Sequence, residues 1–494
     1  MILNINNEHL RHYAESLCQM FLGPVRFADD SDGFADIDIS LTKTANGYKC
    51  MAKSNGVCKT FEFDNSRFSF LKESDVEKIA LGNAFYMLGA QLYHKSPPWG
   101  ILTGIRPAKF ILDHQSLGIS NDILRLLLSE AYLVSKENIE LAFQIAKTES
   151  KYLSHSIDKT VSVYISVPFC PTKCNYCSFV SCATKKLSSL IVPYVDKLCG
   201  DIKSRAALIK KLGLRVRSVY IGGGTPSILS PSQTDSVLTA IFDSMPLCEN
   251  CEITFEAGRP DTITDQIFDV LKKHRIDRVS VNPQTLSDDV LKAVGRNHTA
   301  AQFYDAYACA KKHGFAIINT DIIAGLPSDT VSSFKSTLDS IIALYPQNIT
   351  VHSLSIKNAA KFRADAKKLI SDTATANECV AFSKDALIKN GYLPYYIYRQ
   401  KNTIGNLENI GYARIGCESA YNILMMEEIH TVIGIGAGSV TKLVSSDRKK
   451  IVRIFAPKYP YEYLGISSKK PLYSDMDIDK EISDFYCENY FAAK

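Results

Sequence analysis

The sequence contains little that would place the protein in a membrane or on a nucleic acid. No segment approaches the roughly 20 consecutive apolar residues that a membrane-spanning helix requires. The first residues lack the charged start and the long apolar core of a signal peptide. The net charge of +5 is small, and no long block carries one sign, which argues against a dedicated nucleic-acid-binding protein. We therefore expect a cytoplasmic protein with no membrane span and no nucleic-acid partner.

Tryptophan is nearly absent, since Trp99 is the only one. It lies in the segment 97–107, which is rich in Gly and Pro and also contains Arg106. The segment has two interpretations: a packed connector anchored by Trp99, or a loop whose Arg106 faces an anion. We favour the packed connector.

Cysteine, by contrast, is plentiful. Fourteen cysteines without a secretion signal indicate a reducing compartment, where thiols stay free or bind metal. Three of them, Cys170, Cys174 and Cys177, share one short loop after a predicted buried strand. A cubane iron–sulfur cluster has four irons, each of which normally takes one cysteine thiolate. Three thiolates on one loop therefore predict a [4Fe–4S] cluster whose fourth iron is open to a substrate or cofactor.

This loop has two other interpretations. A thioredoxin-type redox site opens a helix with two cysteines and has no third cysteine upstream. A structural zinc site needs a fourth Cys or His, and Cys182 or the pair Cys248 and Cys251 would supply one. The number of cysteines does not by itself exclude zinc.

The pattern of the chain changes twice and predicts three regions. Residues 1–150 predict an α+β domain of unassigned role, with a hairpin turn at Asn46–Gly47. Residues 160–358 alternate strands with helices. Residues 359–494 predict mixed α/β structure, which we expect to cover the opening above the substrate.

The middle region predicts six strands joined by helical crossovers, and such crossovers imply a parallel sheet. The strands are predicted at Val161–Val167, Val216–Ile221, Glu252–Glu256, Arg278–Val281, Ala316–Asp321 and Ile349–Ser353. Six repeats fall short of the eight that close a barrel. The predicted fold is therefore α/β, an open partial (β/α)6 TIM-like barrel, whose function collects at the carboxyl ends of its strands.

Glycines and polar residues stand at those strand ends. Gly222, Gly223 and Gly224 close the second strand, where glycine lets the backbone approach a ligand closely. The polar residues at the following strand ends are Glu256, Gln284, Arg296 and Asp321. A further glycine-rich segment, 434–438, has the spacing G-x-G-x-G. This spacing is not that of a dinucleotide-binding turn, so we interpret it as a loop near the substrate opening.

These motifs resemble a known family. The segment YISVPFCPTKCNYC resembles the radical S-adenosylmethionine enzymes, in the branch of oxygen-independent coproporphyrinogen III dehydrogenases. GGGTPS, Glu256, Gln284, GRNH and DIIAGLP match that branch in order over about residues 160–360. The N-terminal residues with GIRPAK, and the C-terminal segments RQKNTIGNLENIGYA and GCESAYNILMMEEIHTVIGIGAG, resemble the HemZ subfamily.

The resemblance implies cofactors and residues for them. Cys170, Cys174 and Cys177 would bind the [4Fe–4S] cluster, and S-adenosylmethionine would chelate its open iron. The contacts implied for this first S-adenosylmethionine are Tyr164, Gly223 and Glu256. Those implied for a second S-adenosylmethionine are Tyr176, Gly224, Thr225, Gln284, Arg296 and Asp321. The expected electron donor is a reduced flavodoxin or ferredoxin.

The implied reaction is the oxidative decarboxylation of a porphyrinogen. One electron from the cluster would cleave S-adenosylmethionine to methionine and a 5′-deoxyadenosyl radical. That radical would abstract hydrogen from a propionate side chain, and loss of CO₂ and one electron would leave a vinyl group. The cofactor supplies the difficult step, while the protein orients the reactants and excludes water.

The chain departs from the dehydrogenase pattern at two positions. Ser166 stands where that pattern has His, and Phe179 stands where it has a further Cys. Phe at this second position is shared with the haem-chaperone branch of the family. Two other functions therefore stay open: haem binding and delivery with a regulatory cluster, and a radical methyltransferase that opens the haem ring.

Overall fold

The computed structural model describes residues 2–21, 26–27, 35–103, 106–153, 159–177, 182–183, 187–276, 278–355, 373–399, 403–404, 407–466 and 475–491. Phe179 lies outside these residues, as do positions 154–158 of the predicted domain boundary Thr148–Lys159 and Gly104 and Ile105 of GIRPAK. The described chain forms two compact units. One comprises Met1–Lys147 with Ile397–Glu408, and the other Thr148–Tyr396 with Asn409–Lys494.

The first unit is built around a five-stranded sheet with the order β2-β1-β3-β4-β5. Its strands are β1 (Ile2–Ile5), β2 (Arg26–Phe27), β3 (Ile37–Lys43), β4 (Gly47–Ser54) and β5 (Val57–Asp64). Its helices are α1 (Arg11–Phe21), α2 (Glu73–Tyr93), α3 (Pro107–Ser116), α4 (Asn121–Leu126) and α5 (Lys136–Leu153). The predicted hairpin at Asn46–Gly47 is confirmed, because Lys43 pairs with Tyr48 in antiparallel register.

Trp99 anchors the Gly- and Pro-rich segment of this first unit. It is 1% exposed, and its Nε1 donates to Glu408 Oε2 at 2.7 Å. The guanidinium of Arg399 lies over its ring, 5.6 Å from the centroid. Trp99 is thus a packed anchor, as predicted.

The second unit contains an eleven-stranded sheet with the order β14-β15-β13-β12-β11-β10-β9-β6-β16-β17-β18. Its predicted core consists of β6 (Thr160–Val167), β9 (Arg215–Gly223), β10 (Leu247–Glu256), β11 (Arg278–Ser280), β12 (Ile317–Ala324) and β13 (Asn348–Ser353). All neighbours within this core pair in parallel. In the described residues the sheet does not close, so the open partial barrel is confirmed.

Helices cross over between these parallel strands. They are α6 (Ile191–Lys211), α7 (Pro231–Ser244), α8 (Asp265–Lys273), α9 (Asp288–Ala293), α10 (Ala300–Lys312) and α11 (Val331–Leu344). Capping boxes at Ser230, Thr299 and Thr330 start three of them, because each hydroxyl accepts from an otherwise unpaired backbone N–H. Strand β6 is buried along almost its whole length, as expected for a strand covered on both faces.

Further strands extend the sheet at both edges. These are β14 (Leu393–Arg399), β15 (Glu408–Ala413), β16 (Val432–Ile435), β17 (Val440–Val444) and β18 (Ile451–Phe455). The remaining helices are α12 (Thr373–Lys389), α13 (Ala420–Glu427), α14 (Pro460–Tyr463) and α15 (Asp475–Tyr486), and a two-stranded sheet joins β7 (Phe169–Cys170) to β8 (Cys182–Ala183). In the described residues, no helix is both long and apolar enough to cross a bilayer.

The glycine-rich segment 434–438 was predicted to be a loop, and this is wrong for its first part. Gly434 lies in β16, which pairs in parallel with β6. Only Gly436 and Gly438 turn the chain into β17, and both have positive φ angles, of 95° and 71°. The apolar run Val432–Ile435 becomes a strand because it extends the sheet beside β6.

Candidate active site

The three cysteines lie on a loop that follows β6 at the carboxyl edge of the sheet. Cys170 and Cys174 are each 9% exposed, and Cys177 is half-buried. The loop is attached to the turn before Arg296, because the Asn175 backbone N–H donates to Val294 O at 2.9 Å. The Thr172 hydroxyl donates to Gly295 O at 3.4 Å.

The glycine segment that ends β9 is hydrogen-bonded to the start of this loop. The N–H of Gly224 donates to Val167 O at 2.8 Å, and that of Thr225 donates to Phe169 O at 2.7 Å. A Cβ on Gly224 would lie 2.5 Å from Phe169 O, so only glycine fits at this position. The Thr225 hydroxyl donates to Cys170 Sγ at 3.3 Å. Hydrogen bonds of this kind tune a metal-bound sulfur.

The described sulfurs of the loop are not spaced as the ligands of a single zinc ion. Zn–S bonds of about 2.3 Å would bring tetrahedral ligand sulfurs to roughly 4 Å from one another. In the described part of the chain, the only trio of His, Cys, Asp or Glu ligand atoms within 4.8 Å of one another is on other residues. Cys251 lies five residues before Glu256 on β10, roughly 16 Å away at the rise of a strand. The pair Cys248 and Cys251 therefore does not supply a fourth ligand.

Two buried arginines hold the loop from below. Arg259 is 3% exposed, and its Nη1 donates to the Thr172 hydroxyl at 2.9 Å and to Thr172 O at 3.3 Å. Asp261 neutralises Arg259 through two hydrogen bonds of 2.9 and 2.8 Å. Arg296 donates to the Tyr176 hydroxyl at 3.3 Å and to Asn282 O at 2.7 Å. Arg296 is close enough to Cys174 for its positive charge to act on that sulfur.

A stack of tyrosines borders the site on the β6 and β9 side. Tyr164 and Tyr220 are opposite each other in register, with ring centroids 6.1 Å apart. Tyr421 stacks on Tyr220 at 4.6 Å. The Tyr220 hydroxyl donates to Glu256 Oε1, and this hydrogen bond joins the three stacked rings to the carboxylate.

Glu256 ends β10, as predicted, and lies beside a second carboxylate. Burial, and then the neighbouring Asp321, raise the pKa of Glu256 to about 7, against smaller lowering effects of the Tyr220 hydrogen bond and of His352. A cationic ligand stabilises the ionised form of a carboxylate whose pKa is raised in this way. S-adenosylmethionine carries two positive groups, an ammonium and a sulfonium, and therefore fits this position.

Asp321 was predicted to end its strand, and this is wrong, because β12 continues to Ala324. Asn319 Nδ2 donates to Asp321 Oδ1 at 2.8 Å, and His352 Nε2 is 3.6 Å from Asp321 Oδ2. Burial raises the pKa of Asp321, but hydrogen bonds from His352, Asn319 and Thr350 outweigh it and lower the pKa overall. Asp321 therefore stays ionised beside the more readily protonated Glu256.

Gln284 has an unusual position between β11 and β12. Its φ of 69° is in the left-handed region, and its backbone bridges to Ile322. Gln284 Oε1 is buried with no hydrogen-bond partner among the described residues. A buried amide oxygen that lacks a hydrogen-bond partner indicates that a bound ligand donates a hydrogen bond to it.

The structure brings the predicted residues together in two groups. Around the loop are Cys170, Cys174, Cys177, Tyr176, Gly224, Thr225 and Arg296; on or just after the adjoining strands are Tyr164, Gly223, Glu256, Gln284 and Asp321. The sequence interpretation missed Tyr220, Tyr421, Arg259 and His352. One signal for Tyr220 was available, because Val163-Tyr164-Ile165 and Val219-Tyr220-Ile221 repeat the same three residues on adjacent strands.

Comparison with known proteins agrees with this geometry. The model of the Radical SAM superfamily matches residues 164–341. The oxygen-independent coproporphyrinogen-III oxidase-like protein HemZ of Bacillus subtilis is 38% identical over 371 residues, 74% of each chain. The chain belongs to the HemZ family. As a member of the radical SAM superfamily, it is expected to carry a [4Fe–4S] cluster and S-adenosylmethionine.

Other similarities of this HemZ-family chain are more distant. The haem chaperone HemW of Lactococcus lactis is 33% identical over 250 residues, which cover 50% of this chain and 60% of HemW. The coproporphyrinogen III oxidase HemN of Escherichia coli aligns with a TM-score of 0.50 at 19% identity, over 70% of this chain and 83% of HemN. The HemN comparison shows a shared fold.

Proposed function

We propose that this HemZ-family chain catalyses the oxygen-independent oxidative decarboxylation of coproporphyrinogen III. The observation that carries the proposal is the pairing of the three-cysteine loop with a half-buried Glu256 at the adjoining strand end. The similarity to HemZ over most of both chains supports a porphyrinogen as the substrate class. A reduced flavodoxin or ferredoxin is the proposed electron donor.

The proposed cluster ligands are Cys170, Cys174 and Cys177. When bound, the cluster and S-adenosylmethionine together supply a radical that removes hydrogen from an unactivated carbon. Thr225 donates to the Cys170 sulfur and offsets negative charge there. Arg259 keeps the loop in place through Thr172.

The residues around Glu256 would hold the first S-adenosylmethionine. Glu256 would pair with a positive group of the cofactor, and Tyr164 would pack beside the cofactor. Gly223, which has no side chain, would let the cofactor contact the backbone. Tyr220 keeps Glu256 oriented through its hydroxyl. The stacked rings of Tyr164, Tyr220 and Tyr421 exclude water from this wall, which prevents premature quenching of a radical.

We also propose a position for a second S-adenosylmethionine. Its candidate contacts are Tyr176, Gly224, Thr225, Gln284, Arg296 and Asp321. Gln284 contributes a buried amide oxygen that has no hydrogen-bond partner in the described part of the chain. Arg296 and Asp321 supply opposite charges, which suit the zwitterionic methionine end of the cofactor.

A second candidate function is haem binding and delivery, and one observation favours it. Ser166 stands where the dehydrogenase pattern has His, and its hydroxyl donates to Ala437 O at 2.7 Å. Ser166 is 3% exposed, so it offers no acid to the substrate. The similarity to HemW agrees with this alternative.

An anaerobic product assay separates the two functions. The protein is reconstituted with iron and sulfide and incubated with S-adenosylmethionine, reductant and coproporphyrinogen III. Formation of protoporphyrinogen and CO₂ with 5′-deoxyadenosine supports the dehydrogenase. Stable haem binding without decarboxylation would refute it and support the chaperone.

A further inference from the structure

A second group of metal-binding side chains lies on two outer helices of the second unit. Asp265 and Asp269 are four residues apart on α8, and Cys309 and His313 are four residues apart at the end of α10. Residues with this spacing share one helix face. One ligand atom each from Asp265, Cys309 and His313 lies within 4.8 Å of the others. His313 Nε2 is 3.2 Å from Asp269 Oδ1.

The tautomer of His313 is determined by its own helix. His313 Nδ1 is 2.8 Å from Cys309 O, and a carbonyl only accepts, so Nδ1 carries a hydrogen. In the neutral ring, Nε2 then presents a lone pair to Asp269 and, at 3.8 Å, to Asp265. The protonated ring pairs with these carboxylates directly, whereas the neutral ring leaves Nε2 able to share a bound cation with them. A backbone carbonyl on the other ring nitrogen is the usual support of a metal-binding histidine.

The preceding repeat of the barrel provides an internal comparison. Both helices end in Lys-Lys-His, and His274 Nε2 lies 2.6 Å from Asp235 Oδ1. That contact joins one histidine to one carboxylate. The residue four positions before His274 is Val270, and Asp235 has no acidic neighbour four residues before it on α7. The thiol and the second carboxylate are thus specific to the His313 group.

We propose that Asp265, Asp269, Cys309 and His313 bind one zinc ion that joins α8 to α10. A thiolate, an imidazole and carboxylates form a ligand set that suits zinc, which prefers four tetrahedral ligands. Binding replaces the thiol proton of Cys309, which passes to solvent. Lys312, 3.1 Å from Asp265 Oδ1, offsets the remaining negative charge. The site is on the helical side of the barrel and does not depend on the proposed reaction.

Zinc analysis of the reconstituted protein tests the proposal. After equilibration with zinc and dialysis, we expect about one zinc per chain. X-ray absorption at the zinc edge should show one sulfur at about 2.3 Å and nitrogen or oxygen ligands at about 2.0–2.1 Å. Failure to retain zinc would overturn the proposal. A shell with three sulfurs would also overturn it, since that zinc would be on the cysteine loop.

Three variants make the test specific. Cys309→Ser should remove the sulfur from the zinc shell and weaken zinc binding by at least about tenfold, since even an outer-shell partner is worth 10–100-fold. Asp269→Asn, an exposed change, should weaken it similarly without affecting the fold. His274→Ala is the matched control and should bind zinc like the wild type. Equal zinc binding by all three variants would refute the assignment.

Discussion

The hydroxyl of Thr225 donates a hydrogen bond to Cys170 Sγ at 3.3 Å. Thr225 is 2% exposed, so water does not replace this donor when it is removed. The contact links the glycine segment at the end of β9 to the cysteine loop that follows β6. It gives a buried hydroxyl a direct influence on the proposed cluster.

Thr225→Val should lower the reduction potential of the reconstituted cluster. A hydrogen bond to a ligand sulfur stabilises the reduced, more negative cluster, so its loss makes reduction harder by roughly tens of millivolts. Redox titration followed by electron paramagnetic resonance measures the shift. Thr225→Ser retains the hydroxyl and should keep the wild-type potential. An unchanged potential in Thr225→Val would show that the hydroxyl does not act on the cluster.

Cys174→Ala should abolish the visible absorbance of the cluster and all formation of 5′-deoxyadenosine. The remaining two thiols of the loop cannot hold a cubane stably, because a second iron would then lose its cysteine ligand. Absorbance spectra and iron content after reconstitution provide the measurement. Cys251→Ala, at the distant part of β10, should retain the full cluster. Wild-type iron content in Cys174→Ala would contradict the ligand assignment.

Gly224→Ala should reduce both stability and cluster loading. Its Cβ would lie 2.5 Å from Phe169 O and 2.8 Å from Phe169 N, and these backbone atoms move only with the cysteine loop. We expect a loss of about 1–3 kcal/mol in the free energy of unfolding, as is typical of overpacking. Chemical denaturation and iron analysis measure the two effects. The control Gly200→Ala, which meets no atom within 4 Å, should be neutral or slightly stabilising.

Arg259→Lys should leave the fold intact but expose the cluster to chelators. Lysine keeps the charge but not the fork that spans Thr172 and Asp261. Release of iron to a chelator should therefore be several times faster than in the wild type. Arg215→Lys is a matched control, because Arg215 is exposed at the opposite, amino end of its strand. Equal release rates in the wild type and Arg259→Lys would show that Arg259 does not hold the loop.

Glu256 should make both stability and cofactor binding depend on pH. Its pKa of about 7 exceeds its ordinary value of 4.5, so the folded state favours the protonated acid. Stability should therefore fall as the pH rises from about 4.5 to about 7. Glu256→Gln should stabilise the cofactor-free protein by about 1–3 kcal/mol at pH 8, with no gain near pH 4.5.

The same substitution should weaken binding of S-adenosylmethionine at pH 8. It should also remove the loss of affinity that the wild type shows as the pH falls through about 7, because the amide does not ionise. Thermal melting and calorimetry measure the two properties. Glu249→Gln, exposed on the same strand, is the control and should change neither. Tighter binding in Glu256→Gln would exclude a cationic ligand at this carboxylate.

The cysteine loop can be predicted from the sequence alone. The same is true of the six parallel strands and of the residue types at their carboxyl ends. These features are local: a spacing of thiols, an alternation of strand and helix, and glycines after a strand. The hairpin turn at Asn55–Gly56 was just as local, with both φ angles positive at 47° and 75°. It predicts the pair β4 and β5, which the sequence interpretation did not include.

Which side chains contact one another depends on the tertiary structure and could not be predicted from the sequence. The bond from Thr225 to Cys170, the ring wall of Tyr164, Tyr220 and Tyr421, and the anchoring of Thr172 by Arg259 all join segments distant in the chain. The extension of the sheet by β16 and the interior position of Asp321 within β12 also depend on pairing between strands. Hydrogen bonding and burial act between such segments, so a residue's neighbours set its pKa and partners, whereas its local sequence sets only its chemical type.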